Sequence, residues 1–305
     1  TGMAIMGFGG GGMIASPLSV YLMKQFSNET SVGVAQTFLV MGCLYFIIMM
    51  FGAVIVRVPA EDWKPKGFDP AKAMAKKLVT NAHVLVDNAV KTPQFYLLFM
   101  VLMLNVTAGI GVLGQASVMI QELFSVESVG ASKAVDASAA AGFVMLLSLF
   151  NMAGRFIWSS LSDIIGRKNT YTIFFSLGII LYSSIPSIGA SGSVVMFVAT
   201  FAIIISMYGG GFATVPAYLR DLFGTKQVGA IHGRLLLAWS MAAILGPVLI
   251  NYMRQYQIEV SKLPKAQVYS TTMYVMAALL VIGLICNLSI KQVHEKHHLN
   301  ENSTK

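Results

Sequence analysis

Charge is scarce in this sequence. Asp, Glu, Lys and Arg make up 11% of its 305 residues, against about 25% in soluble domains. So few charges cannot clothe a water-facing surface. Cysteine is scarcer still: Cys43 and Cys286 both fall inside apolar runs, where they behave as small hydrophobes. That excludes a disulfide framework. Paired catalytic carboxylates, a metal-spaced His/Cys cluster inside the apolar runs and a Ser/His/Asp arrangement are missing too. The sequence therefore gives no reason to expect an enzyme, a cofactor or a bound metal. No signal-peptide pattern leads the chain. Thr1-Gly2-Met3 opens directly into an apolar run, which reads as a start partway through a longer protein.

What is abundant is apolar: 56% of the residues are hydrophobic, with a mean hydropathy of +0.70. The expected fold is an all-α polytopic membrane protein. Eight apolar segments run 3–24, 33–56, 95–119, 139–161, 170–188, 194–217, 229–252 and 269–290. Each is near the length a helix needs to cross the hydrocarbon. The connectors alternate in charge. One set holds Arg57, six lysines between 64 and 91, Arg167, Lys168, Arg220, Lys226 and the tail lysines. The other has only Lys24, Lys133, Arg254, Lys262 and Lys265. The positive-inside rule places the first set, and the C-terminus, in the cytosol. The net charge of +8 thus sets topology in a lipid bilayer and does not point to nucleic acid.

The fourth span carries the strongest chemical signal. Helical spacing puts Ser148, Asn151, Arg155, Ser159 and Ser162 on one face. An arginine inside a span costs a few kcal/mol and usually faces a cavity or a partner. All thirteen acidic residues fall in connectors, at span ends or in the tail. Arg155 therefore has no acidic partner deep in these spans. Either it receives an anion, for which a planar guanidinium is suited, or it snorkels to the headgroups.

Other features admit two readings each. In the first span, Gly7, Gly9 and Gly12 match a dinucleotide spacing but lie in an apolar helix without a βαβ context. Gly9, Gly10 and Gly12 are read instead as a close-packing face. Pro17, and Pro247 in the seventh span, are read as bend points. Asn105, Thr107 and Gln115 beside Gly109, Gly111 and Gly114 mark either a discontinuous binding helix or ordinary interhelical hydrogen bonds. Tyr208 and Phe212, one turn apart, either wall a cavity or pack. Asp69-Pro70 has the form of a helix start, opening an amphipathic helix on the membrane face. His294, His297 and His298 are read as a solvated tail in preference to a metal site. Gly2, Phe8 and Pro17 align with Gly233, Trp239 and Pro247 within one residue, a weak sign of duplicated halves.

Asp163, Gly166, Arg167 and Lys168 resemble the loop signature of the major facilitator superfamily. Ser159 and Ile164 depart from it, where glycine and a basic residue are usual. Gly7 to Pro17, Thr92-Pro93-Gln94-Phe95-Tyr96, Asn151-Met152-Ala153-Gly154-Arg155 and Gly233 through Trp239 are similar to one branch, the oxalate/formate antiporter family. The resemblance implies a major facilitator fold with eight of twelve transmembrane helices, here helices five to twelve, and four more from the same protein. Residues 1–57 would close the first six-helix half, 58–92 form a cytosolic connector, 93–290 make the second half and 291–305 a cytosolic tail. It implies an integral protein of a bacterial inner membrane. Asn151 and Arg155 match positions that bind a substrate carboxylate, and the oxalate-exchanging members add a lysine in helix eleven. This chain has Ala238-Trp239-Ser240 there. The expectation is a secondary transporter of a small monocarboxylate, with Tyr208, Phe212 and Trp239 walling the cavity and Asp163 and Arg167 as a latch. The alternatives are transport of an unrelated solute, such as a drug or sugar, and a non-transporting sensor.

Overall fold

In the computed structural model the described residues are 2–57, 60, 80, 82–264 and 267–299. The amphipathic helix expected from Asp69 onward lies almost wholly outside them. Long helices dominate: α1 (Gly2–Phe26), α2 (Val34–Ile55), α3 (Pro93–Leu123), α4 (Ala137–Ile165), α5 (Arg167–Ala190), α6 (Val194–Phe223), α7 (Val228–Leu235), α8 (Leu237–Glu259) and α9 (Ser270–Ser289). With α7 and α8 counted as one, eight segments among the described residues are long and apolar enough to cross a membrane. Helices suit that solvent because each satisfies its own backbone hydrogen bonds.

The helix ends follow local chemistry. Thr92 Oγ1 accepts from the Phe95 N–H at 3.3 Å and Pro93 occupies the first turn of α3, where a missing N–H costs nothing. Asp136 caps α4 through the Ala139 N–H at 2.8 Å. Gly166 separates α4 from α5 at φ +88°, a conformation that glycine adopts without a Cβ penalty. The helices overrun the apolar segments at several ends: α3 reaches Leu123 and α6 reaches Phe223. Residues 121–123, beyond the apolar segment that ends at 119, are therefore helical.

The chain divides into two units, Thr1–Gly10 with Met74–Lys305, and Gly11–Ala73. In the smaller one, Ser19 Oγ donates to the Ala15 carbonyl at 2.6 Å and approaches Met41 Sδ at 3.1 Å. Gly12 and Pro17 are exposed, and α1 runs unbroken through Pro17.

The larger unit is built around α3 and α6, its most buried helices. Buried tyrosines tie α5 to both: Tyr171 Oη donates to the Gly211 carbonyl at 2.6 Å and Tyr182 Oη to that of Ala108 at 2.8 Å. Small residues let the backbones close up. Gly111 and Gly246 face each other where α3 crosses α8, with 3.0 Å between a Gly246 Cβ position and Gly111 N. Pro247 follows, half-buried, within an unbroken α8.

At one end of this unit Glu122 on α3, Arg254 on α8 and Tyr269 before α9 form a polar knot. Arg254 pairs with the Glu122 carboxylate, and Tyr269 Oη donates to Glu122 Oε2 at 2.6 Å. The charged side chains are partly exposed, so the pairing is worth about 1–2 kcal/mol. Glu122→Ala is expected to lower the melting temperature of the solubilised protein by about 2–5 °C. An unchanged melting curve would show the knot to be inert.

At the opposite helix ends the tail is strapped down. The Leu299 N–H donates to the His83 carbonyl at 2.7 Å, Gln94 Nε2 donates to the Gln292 carbonyl at 2.9 Å, and Val84 and His298 form an isolated bridge.

Candidate functional site

Arg155 is 1% exposed and is the largest of the fully buried side chains. It does not snorkel. No ion pair to it is found among the described residues, whereas Arg167, Arg234 and Arg254 all have carboxylate partners. Its Nε donates to Asn151 Oδ1 at 3.0 Å, one turn back on α4, and Nη1 reaches the Ile5 carbonyl at 3.5 Å. Its guanidinium carbon lies 4.9 Å from the Phe8 ring centroid and 5.0 Å from that of Phe212. Both distances fall within cation–π range, worth about 0.5–2 kcal/mol each.

Glycines make this enclosure possible. A Cβ on Gly9 would stand 2.8 Å from Arg155 Nε, and one on Gly10 would meet Met152 Sδ at 2.6 Å. A Cβ on Gly209 would overlap the Asn151 carbonyl oxygen, and one on Gly154 would overlap the backbone of Ser206. The α4 and α6 backbones therefore touch beside the arginine. This contact brings Phe212 and Tyr208 of α6 to the same place as Asn151 and Arg155 of α4.

Trp239 completes the group. Its ring lies 5.8 Å from Phe212 and 6.3 Å from Phe8, and the Phe8 and Phe212 rings stack at 6.0 Å. Tyr208 is buried, within electrostatic reach of Arg155 and beside Trp239. Asn151, Arg155, Tyr208, Phe212 and Trp239, named from the sequence as one site, thus form one cluster. The guanidinium is closed in by rings instead of opening on a cavity. Phe8 was missed as a site residue. Its signal was an aromatic flanked by glycines that aligned with Trp239 in the internal repeat.

The loop signature forms a second cluster. Arg167 bonds Ser162 Oγ and pairs with Asp163, and its Nε stands 3.7 Å from Asp221 Oδ2 at the end of α6. Lys168 Nζ donates to the Leu288 and Ile290 carbonyls, both at 2.7 Å. A cation at that point satisfies carbonyls the last turn of α9 leaves unbonded. Asn287 Nδ2 returns a bond to the Lys168 carbonyl at 2.9 Å. These residues join α4, α5, α6 and α9 within one unit. Among the described residues no group of three or more His, Cys, Asp or Glu side chains could hold a metal ion.

Asn105 and Tyr208 both line a cavity of about 20 Å³ between α3, α5, α6 and α9, room for one water. The third span runs unbroken as α3 through Asn105, Thr107 and Gln115. Thr107 Oγ1 donates to the Met103 carbonyl at 2.7 Å, a bond within its own helix.

Comparison with known proteins gives the same architecture. The chain is 28% identical over 214 residues to the oxalate:formate antiporter of Oxalobacter formigenes, covering 70% of this chain and 46% of that protein. It is 23% identical over 215 residues to the uncharacterized MFS-type transporter YhjX of Escherichia coli K12, covering 70% of this chain and 48% of that one. The matched region thus spans about half the length of these relatives. Residues 1–247 match the family profile of the Major Facilitator Superfamily, and the chain, a helical integral membrane protein with eight candidate spans among its described residues, belongs to that superfamily.

Proposed function

We propose that this protein is a secondary active transporter of a small monocarboxylate, such as formate, pyruvate or lactate, in preference to oxalate. It works by alternating access in a bacterial inner membrane. The observation that carries this reading is the single guanidinium of Arg155, 1% exposed and without a carboxylate partner among the described residues. Its hydrogen bond to Asn151 and its two ring faces hold it ready for an incoming anion. Arg155 anchors the carboxylate and Asn151 orients the fork, while Tyr208, Phe212 and Trp239 form the wall. The Oxalobacter relative supports an anionic substrate class. The seventh span has no lysine or arginine between Leu235 and Met253, so one internal charge suits one carboxylate. The basic loops favour a cytosolic C-terminus, with Asp163, Arg167 and Lys168 as a latch at that face.

Uptake of labelled formate, pyruvate and lactate into proteoliposomes carrying the full-length protein tests this. Saturable uptake that other small carboxylates inhibit is expected. Uptake of none of them, with no competition from any, would sink the reading and favour an unrelated solute or a sensor.

A further inference from the structure

Four lysines gather at one end of the larger unit, the end where the tail is strapped down. Lys91 stands two residues before α3 and Lys291 two residues after α9. Lys168 opens α5, and its Nζ lies on the Leu288 and Ile290 carbonyls, within electrostatic reach of Lys291. Lys296 sits in the short helical turn Glu295–His297. The bond from Gln94 to the Gln292 carbonyl brings the tail against the start of α3. His297 reflects the crowding: partial burial, then the charges of Lys296, His294, His298 and Lys91, hold its imidazole below the usual value.

Lys168 is engaged by α9. The other three are presented and not paired. Lys91, Lys291 and Lys296 are exposed, and no ion pair to any of them is found among the described residues. Asp87, one turn before Lys91, is held by Arg234. The backbone beneath these lysines is fixed. Ile290 and Val293 are buried in the core, and His298 bridges to Val84. A fixed array loses less freedom on binding than a loose tail does. Towards the membrane interior the surface turns apolar at once: Tyr96 in the first turn of α3, and Ile285 and Leu288 near the end of α9, are exposed. Cations where a span ends, above side chains open to hydrocarbon, match a molecule with an anionic head and an apolar body.

We infer that Lys91, Lys291 and Lys296 form a binding site for an anionic phospholipid of the surrounding bilayer. The headgroup phosphate sits on the lysines and the acyl chains run along α3 and α9. The strapped tail is thus a headgroup dock. Apolar side chains at its border favour a lipid over a soluble anion. The site is independent of the transported solute.

Native mass spectrometry of the full-length protein in detergent, titrated with phosphatidylglycerol or phosphatidylcholine, tests this. The wild-type protein is expected to bind phosphatidylglycerol about ten-fold or more tightly than phosphatidylcholine. Lys91→Gln, Lys291→Gln and Lys296→Gln together are expected to bring that ratio to within about two-fold. Arg57→Gln, Arg220→Gln and Lys226→Gln together remove the same charge from other basic connectors, and should keep the wild-type ratio. A wild-type protein without the preference, a cluster variant that keeps it, or a control variant that loses it equally overturns the assignment. Without lipid, the cluster variant should melt within a few degrees of wild type, since unpaired surface lysines hold little of the fold together. A large drop would give these lysines to the fold and overturn their lipid role. Inorganic phosphate and glycerol 3-phosphate are run as competitors. Neither is expected to displace the lipid, and displacement by either at millimolar concentration would assign the lysines to a soluble anion instead. Uptake enters none of these readouts, so failure of the transport reading leaves this inference standing.

Discussion

Arg155→Met is expected to lower carboxylate uptake by about 100-fold or more while leaving the melting temperature within a few degrees of wild type. The two halves of that result have separate causes. A charge-assisted bond to a carboxylate contributes about 1.5–3 kcal/mol even in ordinary protein surroundings, and its loss in a site closed to water costs more. The fold stands to lose little. Burying an arginine in a membrane segment costs about 2.5–3.5 kcal/mol on insertion scales. The bond to Asn151 and the two ring contacts offset roughly that amount. Methionine keeps the length of the side chain without the charge. Arg155→Lys keeps the charge but not the planar fork, and intermediate uptake is expected. Wild-type transport by Arg155→Met would rule out the anchoring role. A large drop in melting temperature would show that the arginine serves the fold.

Two glycines on one helix should respond in opposite directions to the same substitution. Gly142 has nothing within 4 Å of its Cβ position, so Gly142→Ala should stabilise α4 by about 0.8–1 kcal/mol through helix propensity alone. Gly154 faces the backbone of Ser206, which a Cβ would overlap. Backbone cannot rotate away as a side chain can, so Gly154→Ala must push α4 and α6 apart. Overpacking of this kind costs about 1–3 kcal/mol. It also carries Asn151 and Arg155 away from Phe212, so uptake falls together with stability. Thermal melts of both variants, paired with uptake, check the prediction. Gly154→Ala melting at or above the wild-type temperature would refute the tight crossing.

The eight spans were legible because a helix in hydrocarbon must be long and apolar, and both properties are local. The overruns at Leu123 and Phe223 were not, because hydropathy marks where lipid ends and not where the helix does. The stripe of Asn151 and Arg155 was legible from period alone, but its direction was not: the sequence allowed Arg155 to snorkel, and its burial decides against that. Which rings would face it was not. Phe8 is 147 positions before Arg155 in the chain, and periodicity says nothing about which helix lies beside which. The knot of Glu122, Arg254 and Tyr269 escaped for the same reason, since the first two fall in connectors and Tyr269 at the start of the last apolar span. The interruption at Leu236 had no proline to announce it, only Gly233 one turn earlier.

That interruption has a mechanical consequence. The Leu236 N–H turns back to the His232 carbonyl at 2.9 Å, while the Trp239 N–H reaches the Leu236 carbonyl at 3.0 Å in a tighter three-residue turn. On one side Arg234 is pegged to Asp87 at 2.9 Å; on the other the indole begins within a single turn. A small twist at one joint would swing the aromatic arm while both flanking cylinders keep their shape, giving the seventh crossing an elbow just ahead of the residue it aims.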